Sequence, residues 1–190
     1  MTMTSKPLVM ALIASILSQA GPKATPTPLV KTQPPGMSLT ISVDKNVINA
    51  GSDLWLTVVL KNTLSHKIFI NTEKGHPTFD YTIDVSDEKG LPIADTKLGH
   101  MRKRDISVDP DTGKPIVWVT SKGPQIFVDP GNTLTDKIEL TKLFNVEQPG
   151  RYLIRVSRPD TSSAVNDMEV KSWPIAESNV ISVTVSQLAK

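Results

Sequence analysis

The stretch from Phe144 to Ser157 does most to limit what this chain can fold into. Pro149-Gly150 is a turn pair, in which proline presets φ and glycine accepts a positive-φ position. Directly after it, Tyr152, Ile154 and Val156 alternate with Arg151, Leu153, Arg155 and Ser157. A period of two with one mostly apolar face belongs to a half-buried strand. A turn feeding a strand, with a tyrosine just inside its start, predicts the corner of a β-sandwich. Tyr152 is then expected to bond back to the backbone just upstream.

The same period recurs along the chain. Leu39, Ile41 and Val43 mark a first strand, and Asn49-Ala-Gly51 a turn. Asp53 to Lys61 is apolar on both faces, which predicts a central strand. Further strands are expected at 67–71, 79–85, 125–129, 134–140 and 180–185, with a short one at 116–120. Asp87 to Gly90 reads as a hairpin turn, and Pro92 places the return at an edge. Thr141 to Asn145 is expected to form one helical turn. Residues 95–115 are irregular and are read as an inserted hairpin with Asp109 to Gly113 at its tip; residues 159–177 form a second irregular connection. No stretch has helical periodicity, and about eight to nine strands at this spacing suit a sandwich. The expected fold is all-β: an immunoglobulin-like antiparallel β-sandwich with two irregular insertions, over residues 37–190. In antibody domains the second bridging cysteine stands two positions beyond the corner tyrosine. Here that residue is Ile154, and the chain has no cysteine at all. Burial of the core must supply what a disulfide would.

Residues 1–20 read as a secretory signal peptide. Lys6 gives the positive start, Leu8 to Leu17 the apolar run, and Ser18 and Ala20 the small residues before a cleavage point. The run is too short to span a bilayer, and no cysteine follows to carry a lipid. No second apolar run follows either, so no membrane span is expected, and the protein should be secreted or periplasmic. Residues 21–36 hold Pro22, Pro26, Pro28, Pro34 and Pro35. Such a segment favours extended polyproline conformations and reads as a spacer. The formal charge is +2 over 190 residues. A nucleic-acid partner is therefore not indicated, and long-range steering of charged ligands should be weak.

Three passages carry a resemblance. They are Ala50 to Asn62, Phe79 to Gly90, and Val128 to Asn132 followed by Leu140 to Phe144 and Pro149 to Tyr152. Together they resemble bacterial exported immunoglobulin-like domains. The first two and the Pro-Gly turn are similar to the domain type of bacterial intracellular proteinase inhibitors, over roughly residues 38–157. The resemblance implies a sandwich fold and, for the second type, inhibition of proteinases. The chain departs from it in the signal segment, the strand at Tyr152 and the last strand. No motif fixes an inhibitory residue.

Catalytic signatures are missing. There is no Gly-x-Ser-x-Gly elbow, no His-Glu-x-x-His and no phosphate-cradling glycine loop. His66, His76 and His100 stand at no spacing that aims two rings at one metal. His100-Met101, joined by His76, would be the soft donors for copper, but loop histidines of this kind are expected to be solvated. Asp109, Asp111 and Gly113 echo the start of a calcium loop, yet position 12 is Thr120 rather than glutamate. A hairpin tip explains them better. No metal and no cofactor are therefore expected. Arg102-Lys103-Arg104 reads as a solvated basic face. Trp55 and Trp118 are expected to tuck onto the sandwich and cover an edge.

Trp173 and Met168 lie in the connection before the last strand, at an end of the sandwich where binding residues gather. They are expected either to bind a ligand, a protein or a polysaccharide surface, or to tuck back onto the sandwich and cover an edge. The sequence thus points to an exported, monomeric, non-enzymatic binding module. A secreted proteinase inhibitor and an enzyme with an unrecognised site are the alternatives.

Overall fold

The structure, a computed structural model, describes residues 35–73, 81–116, 122–160 and 174–187. The chain divides into two units, residues 1–31 and 32–190, and everything described belongs to the second. The expected signal peptide and nearly all of the spacer lie outside the described residues. So do His76, Trp118, Met168 and Trp173.

Ten strands, one α-helix and one 3-10 turn make up the described part. The strands are β1 Met37–Val43, β2 Val47–Asn49, β3 Trp55–Asn62, β4 Ile68–Glu73 and β5 Thr82–Asp87. They continue with β6 Lys122–Val128, β7 Thr133–Glu139, β8 Gly150–Pro159, β9 Ile175–Glu177 and β10 Ile181–Ser186. The helix, α1, spans Lys97–Lys103.

In β3, Leu56, Val58 and Leu60 are fully buried while Trp55, Thr57 and Val59 face outward. β3 is central to a three-stranded sheet, between β1 and β7, with both pairings antiparallel. The register sets Leu39 opposite Leu60 and Leu56 opposite Ile138. In the second sheet β8 is central, antiparallel to β10 and β5. Its Tyr152, Ile154 and Val156 are buried and oppose Val183, Ile181 and Ile83 in turn. The buried side chains of the two sheets form one core cluster. With β1, β3 and β7 in one sheet and β5, β8 and β10 in the other, the strand order is that of an immunoglobulin-like sandwich. Each fully buried Leu, Ile or Val contributes about 1.5–3 kcal/mol. A handful of such residues thus offsets the roughly 2–4 kcal/mol that a disulfide would give.

The corner forms as the turn and alternation imply. Tyr152 is 5% exposed, and its hydroxyl donates to the carbonyl oxygen of Gln148 at 2.6 Å. The N-terminal strand has a break that the sequence did not suggest. β1 pairs with β3 in the first sheet; then, past residues 44–46, β2 pairs parallel with β10 in the second. The chain is clipped just before β1. The buried carboxylate of Asp160 accepts the Gly36 amide, and the Gly36 carbonyl accepts the Thr63 amide at 3.0 Å.

Asn62, 0% exposed, joins a third piece to the sandwich. β4 and β6 form an antiparallel two-stranded ribbon. The Asn62 amide group donates to the carbonyls of His66 (2.8 Å) and Val128 (2.9 Å) and accepts from the Leu64 amide (2.9 Å). One buried side chain thereby closes the β3–β4 turn and ties in the end of β6.

Residues 95–115 differ from the expected hairpin. Their first half is α1, a helix with a single buried residue, Gly99. It has no apolar stripe that a periodicity could reveal. The Asp109–Gly113 tip is present as expected, between the paired residues Val108 and Pro115. The helical turn near residue 141 is the 3-10 turn Leu140–Lys142.

Candidate functional site

The connection after β5 is the most elaborately built loop among the described residues. It leaves β5 through a turn in which the Asp87 carboxylate accepts the amides of Lys89 (2.9 Å) and Leu91 (2.8 Å). Gly90 completes the turn at φ 81°. Ile93 then bonds back to Val85 at 2.9 Å.

From Ala94 onward the loop is laced to the segment 142–145 that precedes the corner. Asn145 donates its amide to the Ala94 carbonyl, and Thr96 donates its amide to the Leu143 carbonyl, each at 2.9 Å. The Thr96 hydroxyl donates to Lys142 and accepts the Gly99 amide at 3.1 Å, so the residue caps α1 while fastening it. A side-chain oxygen at this position satisfies one of the amides that a helix start leaves open. At the other end of α1, Arg102 donates to the Tyr81 carbonyl. Lys103 pairs with Asp95 at 2.7 Å, with its ammonium 5.5 Å from the centre of the Phe144 ring. The basic run is exposed at Lys103 and Arg104, as expected of a solvated face, while Arg102 is half-buried and tied down.

Arg104 ends α1 in the left-handed conformation, φ 56°. This turns the chain back, and the Asp105 carboxylate meets His100 Nδ1 at 3.0 Å. One oxygen of Asp95, His100 Nδ1 or Nε2, and one oxygen of Asp105 lie within 4.8 Å of one another. His100 thus lies beside two carboxylates. His66 is exposed and contributes only its backbone carbonyl to Asn62.

The tip is organised by charge. Lys97 reaches Asp109 at 2.8 Å and Asp111 at 2.6 Å. The Asp109 carboxylate also accepts the amides of Asp111 and Thr112. The Lys97 hydrogen bond, helped by those amides, holds the Asp109 carboxyl down at about 2, and the two acids raise the Lys97 pKa. The cation beside this acidic pair is an ammonium from the chain itself.

Beside the base of the loop, Asp87, Lys89, Pro92, Ile93, Gln148 and Tyr152 are among the residues lining an open groove of about 350 Å³. Leu91, Leu98 and Val108 on the same connection remain 60%, 48% and 46% exposed. Trp55 is 39% exposed on the outer face of β3, more open than an edge-covering residue would be. Trp173 and Met168, the expected contacts, lie outside the described residues. Asp95 and Asp105 were not singled out in the sequence, because positions five before and five after a histidine match no helical face. The signal that marks them is the left-handed turn at Arg104, which sequence does not display.

The site and strand order define the protein as an immunoglobulin-like β-sandwich carrying a structured loop at one end. No protein-family model matches the chain, and no curated protein is similar to it in sequence. Among solved structures, it is similar to the crystal structure of the CARDB domain of the PF1109 protein from Pyrococcus furiosus, in complex with di-metal ions. The identity is 11% and the TM-score 0.37, with 82% of this chain and 91% of that one covered. The solution NMR structure of the same domain gives 12% identity and a TM-score of 0.37, over 81% of this chain and 97% of that one. At such scores the likeness is one of broad outline, and the strand pairing alone defines the fold.

Proposed function

We propose that this is an exported, non-enzymatic module that binds a protein surface through the loop between β5 and β6. One observation carries the reading. A connection of this length is usually the mobile part of a sandwich, yet its described part, up to residue 116, is laced to the body and still leaves Leu98 and Val108 exposed. A loop held in advance loses less entropy when a partner seats on it. Exposed apolar side chains on a pinned backbone suit a protein partner better than a charged ligand. The near-neutral chain agrees with this, since it offers no field to draw such a ligand in. Export rests on the signal-like residues 1–20.

A photo-crosslinking side chain at Leu98, compared with one at Thr40 on β1, tests the proposal in the exporting cell. A discrete protein adduct from Leu98 alone, lost when Val108→Asp is added, is the expected result. Equal adducts from both positions would remove the loop from the interface. A protease panel and a glycan array run beside it: slowed proteolysis assigns inhibition instead, and glycan retention assigns a polysaccharide.

A further inference from the structure

We propose that Asp95, His100 and Asp105 form a binding site for one divalent transition-metal ion, with Zn(II) as the test ion. The proposal stands apart from the protein-binding reading. Each residue contributes one donor atom, and the three atoms lie within 4.8 Å of one another. Around a tetrahedral ion with bonds of about 2.0–2.2 Å, donors stand roughly 3.3–3.6 Å apart. His100 Nδ1 and the Asp105 oxygen, at 3.0 Å, are already near that spacing. One imidazole with two carboxylates suits zinc and its neighbours, whereas calcium and magnesium take oxygen donors alone.

The backbone holds these donors in place. Asp95 is paired with Phe144, His100 sits on the capped helix, and Asp105 follows the left-handed turn at Arg104. Asp95 supplies a second indication. One of its oxygens receives Lys103 at 2.7 Å, while the other is buried with no hydrogen-bond partner. A buried carboxylate oxygen left without a donor is costly, and a cation bound to that carboxylate offsets the cost.

The competing account is two separate ion pairs, His100 with Asp105 and Lys103 with Asp95. Lys103 separates the two accounts. If the cluster takes a metal, the ammonium is its rival for Asp95, and Lys103→Met tightens binding. If the groups serve only as ion pairs, Lys103→Met creates no affinity.

The experiment is equilibrium dialysis of the chelator-stripped full chain against Zn(II), with Ca(II) in parallel, in a His66→Ala/His76→Ala background that removes the other imidazoles. One equivalent of zinc and no calcium should be retained. His100→Ala and Asp105→Asn should each weaken zinc binding at least about tenfold, and Lys103→Met should strengthen it several-fold. Asp105 is exposed, so its substitution leaves the fold intact, and the melting curve of each variant checks this. No zinc uptake by the background chain overturns the proposal. So does uptake that His100→Ala and Asp105→Asn leave unchanged.

Discussion

The helix at Gly99 lies so close to the carbonyl oxygen of Leu143 that a Cβ on Gly99 would stand 2.2 Å from it. The obstacle is backbone, so it cannot rotate aside. In an open helix, alanine is favoured over glycine by roughly 0.8–1.0 kcal/mol. Here the sign reverses. Gly99→Ala should destabilise the protein by about 1–3 kcal/mol, as overpacking does, and should lower the urea midpoint. Leu98→Ala, one position away and exposed, should change stability by no more than about 0.5 kcal/mol.

The corner hydrogen bond can be tested without disturbing packing. Tyr152→Phe removes one hydroxyl and should cost about 0.5–1.5 kcal/mol. Burial raises the Tyr152 pKa above its ordinary value of 10.0. The folded state then holds this proton more tightly than the unfolded state. Its contribution is complete below about pH 10 and is lost as pH rises through the folded pKa. Stability measured from pH 9 to 11 should therefore fall less steeply in Tyr152→Phe.

Asn62 meets three backbone groups from a position with no solvent access. Asn62→Ala leaves two carbonyls and one amide without their partner. The expected loss is roughly 2–4 kcal/mol, since an unmet buried polar group costs about 1–3. Asn62→Asp should do no better, because a carboxylate has no hydrogen to donate to His66 or Val128. Denaturation of both variants beside the parent protein checks the ranking.

The tip should respond to acid late. Asp109, held at about 2 by Lys97, stays ionised well below the usual carboxylate range. A lowered folded pKa means that its contribution is present above the unfolded value, near pH 4, and is lost as pH falls toward 2. The amide resonances of Asp111 and Thr112, which donate to that carboxylate, should move with a midpoint near 2. Asp109→Asn should abolish that transition. A midpoint near 4 would show that Lys97 does not hold the carboxylate.

What could be read in advance was local. Pro149-Gly150 and the alternation through Val156 lie together in the chain, so the Tyr152 corner follows from neighbouring residues. The pattern of β3 likewise announces a central strand. β2 is three residues long, with only Ile48 buried, and its partner β10 is at the far end of the chain. No periodicity can announce such a strand. The helix α1 escapes for a different reason. It is held by Thr96, Arg102 and the Leu143 carbonyl rather than by an apolar face, and such polar ties leave no regular imprint. The His100 cluster needs the turn at Arg104, where a residue other than glycine or asparagine adopts the left-handed form.

The hop of the first strand from one sheet to the other bears on how the molecule would carry tension. β2 and β10 run parallel, so hauling on the segment ahead of β1 and on the tail beyond Ser186 drags the two strands lengthwise past each other. Their cross-links are then strained together rather than unzipped one by one. An anchored chain pulled at both ends would meet its stiffest resistance at the short seam of Val47, Ile48 and Asn49.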